Sequence, residues 1–264
     1  MMKREYRRAL ITGATSGIGA AFARALPATT GLLLSGRDEE RLAPMQSELA
    51  VPGREVEIFR ADLTRPEEVQ SLAERANTVS IDLLINNAGV GELGAIVDHT
   101  VEAEVATAMV NVVAVVALTR GLLPGMIERA QGDRRRAGVI IVSSTAAFAP
   151  VPFFSTYAAS KTFDLHYGEA LAEELRGQPI SLLVVCPGAT NTAFGGRAGY
   201  EGRMPGAAAP ADVATKALRA LGRQTVLVTG VLGPVALNPL LAPRRVFTGA
   251  LGAGMRFVAN RARR

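Results

Sequence analysis

The pentapeptide YAASK places a phenol, Tyr157, and an ammonium, Lys161, four residues apart. On a helix that spacing brings both side chains to one face. An unperturbed phenol, with a pKa of about 10, is poorly matched to proton transfer near neutrality. A neighbouring ammonium favours the phenolate and lowers that value. The pair therefore suits delivery of a proton to an oxygen, or its removal, provided other groups hold the reacting oxygen in place. Two serines, Ser143 and Ser144 in VIIVSSTAAF, and Asn111, an amide inside the apolar run MVNVVAVVALTR, are the polar groups to weigh beside it. Adjacent serines on a strand face opposite ways. Asn111 has a plain alternative as a satisfied core amide.

Two glycine-rich stretches compete for a phosphate-bearing ligand. The first, TGATSGIG at Thr12–Gly19, follows the apolar run RALIT and opens the helical pattern IGAAFARAL. Gly13 can begin a tight turn, Gly17 can admit a ligand to the backbone, and Gly19 can let the helix pack closely. A pyrophosphate at the helix N-terminus suits that setting. The second, GVGELG at Gly89–Gly94, matches G-x-G-x-x-G literally, but AIVDHT follows it and a helix starts only near Asp98. Context assigns the phosphates to the first stretch and makes the second a loop on the same edge.

Seven aliphatic runs, RALIT, GLLLS, VEIFRA, IDLLIN, GVIIVS, ISLLVVCP and QTVLVT, alternate with segments of helical length. Near-continuous apolar strands separated by helices predict α/β architecture, a single Rossmann-type doubly wound parallel sheet of about seven strands with helices on both faces. With 264 residues, 48% of them hydrophobic, the chain is expected to form one domain over 1–264, with a substrate loop at about 193–210 and a basic extension at about 240–264. The charge is +5, with Lys and Arg scattered and no Trp and four Tyr as stacking platforms, which argues against nucleic acid. A lone cysteine, Cys186, cannot form an internal disulfide and reads as a buried core residue. The expected compartment is the cytoplasm, and no metal site is expected. The uncharged runs Ala137–Ser160 and Gln224–Pro243 carry too many Ser, Thr, Gly and Pro to span a bilayer.

TGATSGIG, NNAG at Asn86–Gly89 and YAASK occur in order at compatible intervals, and together the chain resembles the short-chain dehydrogenase/reductase (SDR) family from about Tyr6 to Thr192. The resemblance implies a carbonyl/alcohol oxidoreductase using NADP or NAD, with Tyr157 as acid/base, Lys161 as cofactor anchor, Ser144 as partner of the substrate oxygen and Asn111 supporting a proton relay. It implies cofactor contacts from Gly13, Thr15, Ser16, Gly17, Ile18 and Gly19. It extends them to Asp62, Leu63, Asn87, Ala88 and Gly89, and, in the loop PGATNT, to Pro187, Gly188, Thr190 and Thr192. At the end of the second strand, Arg37 favours NADP, because a guanidinium holds a 2′-phosphate bidentately. Asp38 keeps NAD as the alternative and has a plain role as a helix N-cap. Asp62 likewise has a plain role in an Asx turn.

The competing function is a dinucleotide-binding sensor or scaffold of this fold without turnover. The substrate is a small carbonyl or alcohol compound of unspecified structure. The long apolar segment from Val101 is expected to assemble the chain as a homodimer or homotetramer. The C-terminal face of Val246, Phe247, Leu251, Met255 and Val258, ringed by arginines, suits peripheral membrane contact, though packing on protein is favoured.

Overall fold

The computed structural model describes residues 6–199 and 206–230. Seven strands alternate with helices: β1 (Arg8–Thr12), α1 (Gly17–Ala25), β2 (Gly31–Gly36), α2 (Glu39–Leu49), β3 (Val56–Arg60), α3 (Pro66–Thr78) and β4 (Leu83–Asn86), then α4 (Val101–Ala108), α5 (Ala114–Gly132), β5 (Ala137–Val142), α6 (Ser155–Glu174), β6 (Ile180–Pro187), α7 (Phe194–Arg197), α8 (Pro210–Ala220) and β7 (Val226–Thr229). The strands form one sheet of order β3-β2-β1-β4-β5-β6-β7, parallel throughout.

Strand alternation divides the core in two. Leu10, Leu33, Leu84, Val139 and Val184 point to the face covered by α3, α5 and α6. Ile11, Leu34, Ile85, Ile140 and Val185, their immediate neighbours, point to the face covered by α1, α2 and α8. Both sides of each central strand are thus dry, which is why these runs read as continuously apolar. After β3 the chain crosses to the other side of β1 to form β4, so the helices leaving β1 and β4 diverge and open a crevice at the carboxyl ends of those strands.

A short 3-10 turn occupies Ile96–Asp98, and the regular helix begins at Val101, where Thr100 Oγ1 accepts from Ala103 N at 3.2 Å. From Val101 to Gly132 the chain is one helical rod, α4 passing into α5 through a π-helical turn at Met109–Val113. This rod is long and apolar enough to cross a membrane by length and composition. Here Leu118, Leu122 and Met126 bury against the sheet and α3, while Val101, Val105 and Val113 stay exposed. The uncharged run Ala137–Ser160 resolves into β5, a 3-10 turn and the start of α6. The basic segment 240–264 and residues 200–205 of the substrate loop lie outside the described residues.

Candidate active site

The loop after β1 is built around its glycines. Gly13 and Gly17 adopt φ of +65° and +57°, the left-handed region that favours glycine. A Cβ on Gly19 would sit 2.3 Å from the Gly13 carbonyl oxygen and 2.5 Å from Asn87 Nδ2. The Asn87 amide donates to Thr12 O at 2.9 Å and Gly13 O at 3.2 Å, and Thr12 Oγ1 accepts from the backbone of Asn87 and Ala88. Asn86 turns the other way and donates to Thr119 Oγ1 at 3.0 Å. NNAG therefore fastens the ends of β1 and β4 together. Ser16 caps α1 without a side-chain bond to its backbone, so the first-turn N–H groups remain for a ligand.

The loop GVGELG has a different task. A Cβ on Gly91 would lie 2.8 Å from Tyr157 Cδ2, and one on Gly89 would lie 3.6 Å from Lys161 Nζ. This loop lets the phenol and the ammonium come close to the chain at the reacting end of the crevice.

A single cavity of about 840 Å³ runs from Gly13, Ser16 and Arg37 to Ser144, Tyr157 and Lys161. Thr15, Gly17, Ile18, Leu63, Asn87, Ala88 and Gly89 line it as well, with Pro187, Gly188, Thr190 and Thr192. The sequence-predicted residues are thus brought together, with Asp62, Asn111 and Gly19 standing behind the wall. Gly13, Gly17, Gly19 and the open α1 terminus fit the pyrophosphate of a nicotinamide dinucleotide, and the cavity length suits the rest of it. A nicotinamide dinucleotide is the cofactor this site is built for.

Tyr157 packs in an aromatic cluster: Phe154 stacks on it at 4.3 Å between centroids and Phe194 tilts against it at 5.2 Å. Burial raises the phenol above its ordinary value, while the Lys161 charge and a hydrogen bond with Ser144 pull it down. The ammonium alone does not win here, contrary to the simple expectation from YAASK. Lys161 is 3% exposed, with Nζ donating to Val142 O at 2.9 Å and to Asp164 Oδ2 at 2.8 Å. Burial disfavours its charge, but the Asp164 carboxylate and then the Tyr157 oxygen outweigh that and raise the ammonium pKa.

The two serines divide by their hydrogen bonds. Both line the cavity, but the Ser143 hydroxyl is committed elsewhere, donating to the Lys161 carbonyl at 2.7 Å, while Ser144 Oγ accepts from Ala146 N at 3.1 Å. Asn111 lies in the π-helical turn and is fully buried. Its amide spans Val90, accepting from Val90 N at 3.0 Å and donating to Val90 O at 2.9 Å, and also donates to Ser160 Oγ at 2.9 Å. Its role in this structure is to hold the GVGELG loop against α6.

At the other end, Asp38 caps α2 by accepting from Arg41 N at 3.1 Å and pairs with Arg41 Nε at 3.0 Å. Asp62 closes an Asx turn, accepting from Thr64 N at 3.0 Å and Thr64 Oγ1 at 2.8 Å. Burial opposes its charge, yet the Thr64 bonds with Arg37 and Arg65 keep the carboxyl below its usual range. Arg37, Arg41 and Arg197 border the same part of the cavity, and Arg197 Nη1 donates to Ser16 Oγ at 3.4 Å.

After β6, Thr190 Oγ1 donates to Gly188 O at 2.9 Å, and Thr192 Oγ1 accepts from Phe194 N at 3.3 Å. This loop sets α7 across the cavity mouth. Phe194 and Arg197 lie in the segment expected as a substrate loop, without individual roles there, while no motif points to Phe154, and Asp164 is the (i, i+3) neighbour of Lys161 that the YAASK pattern stops short of.

A sequence model of the short chain dehydrogenase family matches residues 7–200. The chain belongs to the short-chain dehydrogenase/reductase family. Dehydrogenase/reductase SDR family member 7B of Xenopus laevis is 33% identical, over 90% of this chain and 79% of the relative. A short-chain dehydrogenase of Sphingobium yanoikuyae, solved with NADPH, superposes with a TM-score of 0.78 at 30% identity, over 94% of this chain and 95% of that one. A family member from Burkholderia phymatum, solved with NAD, gives 0.75 at 26% identity, over 97% and 94%. SDR relatives thus occur with either dinucleotide.

Proposed function

We propose that the protein is an NADPH-preferring oxidoreductase that interconverts a carbonyl and an alcohol, with Tyr157 as general acid/base. The observation that carries this reading is the convergence of Tyr157, Ser144 and Lys161 on one cavity with the Gly13–Gly17 loop. The bound dinucleotide supplies or accepts the hydride. Gly13, Ser16 and Gly17 bind its phosphates, and Thr190 and Thr192 hold the far end in place. Ser144 Oγ orients the substrate oxygen towards the Tyr157 hydroxyl, which gives it a proton in reduction and takes one in oxidation. The remaining N–H of Lys161, which lines the cavity beside Gly89, would hold the dinucleotide's ribose. Phe154 and Phe194 exclude water from the phenol.

NADPH preference is supported by the adenosine end. Asp38 is committed to Arg41 and the α2 cap, whereas Arg37 forms no salt bridge among the described residues. A guanidinium outside any salt bridge at this strand end suits a 2′-phosphate.

The test is loss of NADPH absorbance with a panel of ketones and aldehydes. Turnover in the native protein and none in Tyr157→Phe is the expected result. Undiminished turnover in Tyr157→Phe would end the acid/base reading, and cofactor binding without turnover on any panel member would favour the sensor.

A further inference from the structure

We propose that Asp164 is a positioning residue for this reaction: it pins the Lys161 ammonium between β5 and α6 and counters its charge at Tyr157. The proposal rests on the reading of Tyr157 as acid/base and goes beyond it, because neither the motif nor the cavity requires a carboxylate at this place.

Asp164 is fully buried one helical turn beyond Lys161. Its Oδ2 accepts from Nζ at 2.8 Å, and its Oδ1 is buried with no hydrogen-bond partner among the described residues. Taking two charges out of water is unfavourable, and apolar residues of similar volume are often as stable in place of a buried ion pair. Fold stability therefore does not account for the ion pair as a whole.

An ammonium has three N–H donors. Val142 O takes one at 2.9 Å and Asp164 takes another, which leaves one for the cavity that Lys161 lines. Without Asp164 the ammonium keeps one protein anchor, Val142 O, which holds it beside Tyr157 but no longer fixes the direction of its remaining N–H groups. Nζ lies 5.9 Å from the centre of the Tyr157 ring.

The charge acts in the same place. Burial, first, and Asp164 push the phenol up, against Lys161 and Ser144. Few other groups compete around the pair. From β6 comes Cys186, a thiol pushed up to about 12 by burial and acted on also by Glu169. The β5 neighbours Val142 and Ser143 and the π-turn amide Asn111 are neutral. The net effect favours the phenol, the form that gives a proton to a carbonyl oxygen.

The test is a near-ultraviolet titration of tyrosine ionisation in the full chain. With no Trp and four Tyr, subtracting the curve of Tyr157→Phe isolates Tyr157. In Asp164→Asn the Tyr157 midpoint should fall by about one pH unit or more, and Asp164→Glu should restore most of it. A folded Asp164→Asn protein with an unmoved midpoint would overturn the proposal. Should that variant not fold, the native chain offers a second measurement. It contains three lysines, Lys3, Lys161 and Lys216, so carbon-13 labelling of the lysine ε-position gives few signals. Lys161 should titrate above the ordinary lysine range, and titration at or below that range would overturn the pairing. Turnover retained in Tyr157→Phe would instead sink the acid/base reading and leave the titration coupling intact.

Discussion

Arg37→Gln is expected to weaken NADPH binding selectively. The side chain stands exposed at the end of β2, on the cavity wall beside Arg41 and Arg197. A hydrogen bond to a charged group contributes about 1.5–3 kcal/mol, equivalent to roughly 10- to 100-fold in Kd. Arg41 is engaged by Asp38, and Arg197 reaches in from the opposite wall to Ser16. Both can take up part of the phosphate's charge, so the loss should fall near the lower figure, about tenfold. NADH lacks the phosphate and should be affected by less than about twofold. Titration of reduced-nicotinamide fluorescence with each cofactor measures both constants. The NADPH constant should also rise with added salt, because the site is open to solvent. Equal losses for NADPH and NADH, or no loss for either, would refute the assignment of Arg37 to the 2′-phosphate. Arg197→Gln provides a check on the geometry. Burial, then Arg41 and Arg37, disfavours the Arg197 charge, so an anion among the three should draw it in, and its removal should also cost NADPH more than NADH.

Lys161→Ala should weaken cofactor binding and sharply lower turnover at neutral pH, whereas Lys161→Arg should retain affinity better than activity, since a planar fork replaces a compact ammonium; kcat and Kd for each variant decide it, and unchanged turnover in Lys161→Ala would contradict the pairing. Cys186 is buried, with its thiol pushed up to about 12, so an alkylating reagent at neutral pH should leave it unmodified in the folded protein and modify it once the chain is denatured. Intact-mass measurement before and after denaturation reads this. Val105, Val113 and Phe163 form exposed apolar surface on the α4 rod and α6, and the chain is expected to assemble as a dimer or tetramer; a monomer by light scattering at micromolar concentration would refute this.

The sheet was legible because its strands are buried on both faces and each reads as an uninterrupted aliphatic run, with RALIT and ISLLVVCP matching β1 and β6 residue for residue. The phosphate loop was legible because Gly13, Gly17 and Gly19 sit where strand gives way to helix. Tyr157 and Lys161 were legible as a helical pair, yet the carboxylate that completes the pair was not. Position 164 could equally have faced solvent, and only the docking of α6 on β5 and β6 buries it. Arg197 approaches Ser16 across 181 positions of chain, a distance no local pattern bridges. The bland readings of Asp38 and Asp62, a helix cap and an Asx turn, describe the bonds these carboxylates make.

The π-helical turn at Met109–Val113 places Asn111 in register with Val90 while the rod on either side continues as α-helix. Such a turn holds one residue more than an α-helical turn, and one residue corresponds to about 100° of rotation about the helix axis. Deleting a single residue there would let the rod close into an uninterrupted α-helix. The buried stripe of Leu118, Leu122 and Met126 and the Asn111 amide would then face directions about 100° apart from their present relation. The chain would have to choose between packing its core and bracing the GVGELG loop, so the extra residue acts as a phase adjuster that lets a single rod serve both.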